Sequence, residues 1–265
     1  MSEKPYSTFV EYVVYQVRDR VNRQIFNPQL KRLFSYISPK DILIFDVGCF
    51  FGESIERFSS LFPGSTIYSF EPDEATYVEV TKKYKHRNNI SIHNVGIGAS
   101  DGVANFYKCS IPGNSSFNNI LESSEWAKHR ARLQGKEPAD LVRRVEGIPL
   151  RSLDSFAEEQ GVKHIDVLKL DVEGWENECL KGCQNLLSLN KVSVIQLELI
   201  TTKIREHTIT IDEIKDLLAS YDFDYFITKH RQIPFSSSPE LFEVLIVNRQ
   251  LENYKKSIIP RSFWL

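Results

Sequence analysis

The chain has 265 residues, 42% hydrophobic and 26% charged, which excludes a disordered segment, a collagen-like repeat and a coiled coil. With 33 basic against 35 acidic side chains the net charge is −2, so nucleic acid is not an expected partner. The length suits one open α/β domain that folds without a disulfide or metal staple.

In chain order, Met1 to Pro5 is followed by no apolar signal core, because Glu11, Arg18, Asp19 and Arg20 interrupt the first apolar stretch. No run approaches the ~20 apolar residues of a membrane span, so a cytoplasmic protein without a transmembrane segment is expected. Val10, Val13, Val14, Val17 and Val21 recur at three or four positions and predict an amphipathic helix over 8–26, within an N-terminal helical extension over 1–40. From Ile42 onward, short apolar runs alternate with helical stretches. Strands are expected at Ile42–Val47, Thr66–Phe70, Ile90–Ile97, Ile165–Leu170, Val192–Leu199, Tyr225–Thr228 and Phe242–Val247. Helices are expected at Ser54–Phe62, Asp73–Tyr84, Ser152–Gln160, Trp175–Leu189 and Ile211–Ser220, the last opened by a Thr210/Glu213 capping box. The alternation predicts a doubly wound parallel sheet over 41–265. The loop before Phe242 is too short for a helical crossover, so the last strand should run antiparallel. Residues 111–147 break the alternation and read as an insertion on the substrate side, a lid or binding element. Cys49, Cys109, Cys179 and Cys183 lack metal-ligand spacing and read as reduced core residues. The six histidines are scattered, and only His129 and His207 fall in segments near the expected crevice.

Three motifs carry chemistry. Phe45-Asp46-Val47-Gly48-Cys49-Phe50-Phe51-Gly52 is a buried strand turning through glycine into a helix, the place where doubly wound sheets bind ligands. It lacks the G-x-G-x-x-G of a pyrophosphate site, and its acid suits an amino-bearing ligand, with Asp46 as acceptor for the amine. Glu71, in Ser69-Phe70-Glu71-Pro72-Asp73, ends the second strand, where a carboxylate can grip both hydroxyls of a ribose or cap the next helix. Asp171, in Lys169-Leu170-Asp171-Val172-Glu173-Gly174-Trp175, and Glu198 end neighbouring strands. Asp171 reads as a general base, a metal ligand or a helix N-cap, and Glu198 as its support or as a structural acid.

These motifs come in order with Asn94-Val95-Gly96-Ile97-Gly98-x-x-Asp101-Gly102 and Leu150-Arg151-Ser152-Leu153-Asp154-Ser155-Phe156. Over about residues 40–200 the series resembles the FkbM family of S-adenosylmethionine-dependent methyltransferases, most specifically at Lys169–Gly174. The resemblance implies a class I methyltransferase fold (Rossmann-like, seven strands in the order 3-2-1-4-5-7-6 with strand 7 reversed) and O-methylation of sugar or polyketide hydroxyls. It also implies that Asp46, Gly48 and Gly52 hold the methionine end of the cofactor and Glu71 the ribose. Asn94 and Val95, ending the third strand, would border the adenine. Cys49-Phe50-Phe51 departs from the small polar residues common in the family's glycine turn. The expected partner is a small-molecule or glycan hydroxyl acceptor, with Mg²⁺ at Asp171 and Glu198 as the alternative to a metal-free base. A nicotinamide-dependent oxidoreductase and a catalytically silent cofactor-binding module are the competing readings. The oligomeric state stays open, a homo-oligomer included.

Overall fold

The computed structural model describes residues 41–111, 113–231 and 241–251. The helix expected over 8–26 and the loop before Phe242 with Pro234 lie outside these residues. In chain order the first half holds β1 (Leu43–Val47), α1 (Glu53–Leu61), β2 (Thr66–Phe70), α2 (Glu74–Tyr84), β3 (Ile90–His93), β4 (Gly96–Ile97), β5 (Gly102–Cys109) and α3 (Glu125–Gln134). The second half holds β6 (Val142–Arg151), α4 (Leu153–Glu159), β7 (Ile165–Leu170), α5 (Glu176–Lys181), α6 (Gln184–Ser188), β8 (Val192–Ile200), α7 (Ile211–Leu217), β9 (Phe223–Arg231) and β10 (Leu241–Asn248).

Seven strands form the main sheet in the order β3-β2-β1-β7-β8-β10-β9. Only β10 is reversed, pairing antiparallel with both β8 and β9. This is the seven-stranded class I arrangement expected from the sequence. Its cause is visible in the central strands, which are apolar on both faces. Alternate residues point to opposite sides of a strand. Phe45, Leu168 and Ile195 therefore face Phe156, Leu180, Leu187 and Ile214 of α4 to α7. Ile44, Val167 and Val194 face Ile55 and Phe58 of α1 and Val80 and Tyr84 of α2. Each fully buried Phe or Ile contributes about 1.5–3 kcal/mol.

Three segments differ from the sequence expectation. The strand expected over Ile90–Ile97 ends at His93, and the chain leaves the sheet at Asn94, whose side-chain amide donates to the Glu71 and Pro72 carbonyls at 2.9 and 3.3 Å. Gly96–Ile97 then joins a second sheet, β4-β6-β5, whose strands β5 and β6 are not among the expected ones. The helix expected over Trp175–Leu189 is two short helices broken at Gly182. A side chain at Gly182 would lie 2.1 Å from the Gly98 carbonyl oxygen, so this glycine lets the two backbones touch and the helix yields. Pro72 stands outside α2, whose N-cap is Asp73, accepting from the Ala75 and Thr76 amides. The capping box of Thr210 and Glu213 is present as expected.

Candidate active site

The site grows from a polar row on the α1 side of the sheet. Asp46 on β1 is in register with Ser69 on β2 and Lys169 on β7, and Lys169 is in register with Gln196 on β8. Residues two further along a strand share the face. Glu71, Gly48 and Asp171 directly follow β2, β1 and β7, and Glu198 lies two residues beyond Gln196 near the carboxyl end of β8. Three of the four expected acids thus lie at the carboxyl ends of β2, β7 and β8, on both sides of the β1/β7 switch point, and the fourth is further inside β1.

That fourth acid, Asp46, is fully buried. Its Oδ2 accepts from Ser54 at 2.6 Å and Ser69 at 3.5 Å, and its Oδ1 pairs with the Lys169 ammonium at 3.1 Å. It supports the turn from below and does not face the crevice. Gly48 (φ +80°) is required by the fold, since its Cβ would lie 2.0 Å from the Asp171 carbonyl oxygen. Gly52 (φ +86°) makes room for the Tyr84 ring, whose hydroxyl donates to the Gly52 carbonyl at 2.9 Å. Gly48→Ala combines a disfavoured φ with a backbone collision, and should cost about 3–5 kcal/mol of stability, read by urea denaturation.

Glu71 sits at the end of β2, where it holds the glycine turn to the start of α2. Its Oε2 accepts from the Phe50 amide at 3.0 Å and its Oε1 from the Asp73 amide at 2.9 Å. A carboxylate offers about four lone-pair sites, so two amides leave room for two hydroxyls. Burial raises its pKa from the usual 4.5 to about 7, against the opposing Asp73 amide. Asn94 is exposed, with its amide turned back onto the Glu71 and Pro72 carbonyls, and Val95 packs partly against the core.

Asp171 follows β7, and its side chain is 40% exposed. It does not cap the next helix, which begins at Glu176 with Trp175 as N-cap and no side-chain cap bond. Instead its Oδ2 lies 3.3 Å from the Lys169 ammonium. Burial works against the Lys169 charge, but Asp46 and then Asp171 overcome it and hold its pKa above the usual lysine value. Glu198 stands one register step beyond the Leu170–Leu197 pair, beside Asp171, and is opposite Glu243 on β10. Among the described residues no group of three or more His, Cys, Asp or Glu is placed to hold a metal ion.

Part of the insertion packs on the segments that follow β7 and β8: the Ser116 hydroxyl donates to the Val172 carbonyl at 2.7 Å, and Ile120 bridges to Arg205. Ile120, Trp126, Ala127, Ala131 and Leu141 pack with Ile204 in a cluster of their own. The start of the insertion is strapped down by side chains to which the sequence reading gave no role. Buried Arg205 pairs with Glu173 at 2.7 Å and donates to the Asn118 and Asn114 carbonyls at 2.8 and 3.1 Å. The Asn118 amide donates to the Gly174 and His207 carbonyls at 2.8 and 2.7 Å. His207 borders a small cavity with Glu176, Arg205 and Thr208, whereas His129 is exposed on α3. The positive φ of Glu173 (58°), ahead of Gly174, is the local signal of this strap.

Glu176 is buried beside that cavity. Its Oε1 accepts from the Val172 and Gly174 amides, while its Oε2 has no hydrogen-bond partner among the described residues. Burial raises its pKa from 4.5 to about 7. The folded state therefore binds more protons than the unfolded chain between about pH 4.5 and 7, and stability falls as pH rises through that window. The loss is on the order of 3 kcal/mol at this residue. Denaturation at pH 5.5 and pH 8 should show Glu176→Gln gaining stability over the wild type as pH rises.

Comparison with known proteins places this geometry in a family. The Methyltransferase FkbM domain model matches residues 46–225, from the middle of β1 into β9. The chain belongs to the FkbM methyltransferase family. It is similar to the 2-O-methyltransferase NoeI of Sinorhizobium fredii, 24% identical over 197 residues, covering 72% of this chain and 77% of that protein. It is also similar to Methyltransferase sdnD of Sordaria araneosa, 29% identical over 159 residues, covering 54% of this chain and 61% of that protein. Among solved structures, the METTL16 MTase domain matches at TM-score 0.46 and 8% identity, covering 85% of this chain and 67% of that one. Membership in the FkbM methyltransferases implies S-adenosylmethionine as methyl donor, and Glu71 keeps acceptor sites free of backbone amides beside the glycine turn. No helix among the described residues is long and apolar enough to cross a membrane.

Proposed function

We propose that this FkbM methyltransferase transfers a methyl group from S-adenosylmethionine to a hydroxyl of a sugar, glycan or related natural-product acceptor, with Asp171 as general base and no metal. The observation that carries this reading is the placement of Glu71, Gly48, Asp171 and Glu198 at the carboxyl ends of β2, β1, β7 and β8, on both sides of the switch point. When bound, the cofactor supplies an activated sulfonium methyl. Glu71 binds the ribose hydroxyls, and the backbone of the Gly48–Gly52 turn receives the methionine end. Asn94 and Val95 border the adenine. An alcohol is a poor nucleophile at neutral pH and profits from a base. Asp171 Oδ2 is engaged by Lys169, so Oδ1 takes the acceptor's proton, and Glu198 orients the hydroxyl from the adjacent strand end. The folded insertion over β7 and β8 supplies the acceptor's walls. NoeI, a 2-O-methyltransferase by name, supports a hydroxyl as the methylated group.

Calorimetry should show binding of S-adenosylmethionine and not of NAD. S-adenosylhomocysteine release should then appear with members of a panel of sugars and small alcohols, unchanged by a chelator. Binding of NAD alone would point to an oxidoreductase, and activity lost to chelator and restored by Mg²⁺ would replace the base with a metal site.

A further inference from the structure

We propose that Lys169 is a positioning residue that acts through Asp171, fixing that carboxylate against the floor of the cofactor turn. The inference rests on the base role given to Asp171 above. Lys169 lies below the crevice and is almost fully buried, its side chain 6% exposed. An ammonium has three donors and no acceptor. Here three oxygens surround it: Asp46 Oδ1 at 3.1 Å, the Gly48 carbonyl at 3.1 Å and Asp171 Oδ2 at 3.3 Å. They come from the inside of β1, the glycine turn and the end of β7.

One side chain thus ties the turn that meets the cofactor to the acid that meets the acceptor. The two carboxylate anchors are themselves held. Asp46 is fixed by Ser54 of α1 and by Ser69, and the Asp171 amide donates to the Val47 carbonyl at 3.1 Å. Asp171 itself is half-exposed, and an exposed carboxylate without such a tether samples several rotamers. In-line displacement at a methyl group tolerates little misplacement, since an error of about 1 Å can cost roughly 10²-fold in rate.

The test is a double-mutant cycle on the full chain, read by S-adenosylhomocysteine release. Lys169→Met should lower kcat by about 10²-fold, as should Asp171→Asn, and the double variant should be no more than about threefold slower than the slower single. Multiplied losses, about 10⁴-fold in the double variant, would mean that Lys169 acts independently of Asp171 and would overturn the inference. An active Lys169→Met beside an impaired Asp171→Asn would overturn it too, leaving the base role intact. An active Asp171→Asn would overturn the base role itself, and this inference with it.

A readout independent of turnover accompanies the cycle. In Lys169→Met, hydrogen exchange at the 48–52 turn and at the Asp171 amide should speed up together by at least tenfold, while β2 and β3 amides stay unchanged. Unchanged exchange at both places would equally overturn the proposal. Should Lys169→Met fail to fold with Asp46 left uncompensated, the neutral pair Asp46→Asn/Lys169→Met replaces it in both measurements, against Asp46→Asn as reference.

Discussion

Glu71→Ala should weaken S-adenosylmethionine binding by about 1.5–3 kcal/mol, or roughly 10- to 150-fold in Kd, the range for hydrogen bonds to a charged group. The carboxylate holds the Phe50 and Asp73 amides, so part of the loss comes from a looser turn. Glu71→Gln separates the two contributions, because it keeps one carbonyl acceptor and loses the charge. A pH series adds a signature of its own. Hydroxyl donors favour the charged form of an acid, and burial holds this one near pKa 7. Affinity should therefore rise as pH passes from about 6 to 8 and then level off, while Glu71→Gln stays flat across the range. Unchanged affinity in a folded Glu71→Ala would remove this residue from the cofactor site.

The second large effect is expected at Asp171. Loss of a general base costs about 10²–10⁴-fold in rate. Asp171→Asn keeps the volume and the position after β7 but removes the charge beside Lys169, and should lower kcat by about 10²-fold or more. Cofactor affinity should stay within a few-fold, because Glu71 and the turn are on the other side of the switch point. Titrating the variant with S-adenosylmethionine by calorimetry and timing S-adenosylhomocysteine release under saturation separates the two quantities. Full activity in this variant would make Asp171 only a partner for a buried lysine.

The sheet was legible because its signals are local. Ile42–Val47 and Ile165–Leu170 are apolar at both parities, which only strands covered on both faces need. The reversed last strand followed from a loop length. What escaped was set by contacts distant in sequence. The chain turns out of the sheet at Asn94 because of carbonyls on the β2 end, and Gly182 breaks a helix because Gly98 touches it, and neither partner can be read from neighbouring residues. The acids at strand ends were recognisable by position, yet position alone left Asp46 facing a ligand, while the structure encloses it with Lys169, Ser54 and Ser69. Arg205 carried no sequence signal at all. Its role comes from Glu173 and Asn118, which the fold brings to it from 32 and 87 positions away.

The placement of β1 in the middle of the sheet has a consequence for how the chain is made. The Leu43 amide donates to an Asp166 side chain 123 positions later, and all of β1's pairing with β7 spans a similar distance. At a synthesis rate of about 5–20 residues per second, the β7 edge of β1 waits on the order of ten seconds for its partner to leave the ribosome. During that interval β1, β2 and β3 present an apolar strand with unsatisfied amides, the kind of edge that recruits other chains. Closure of the sheet at β1/β7 is expected to be slow, because its contacts are so distant in sequence. Substitutions there should reduce the yield of native protein during expression more than they reduce the stability of molecules already folded.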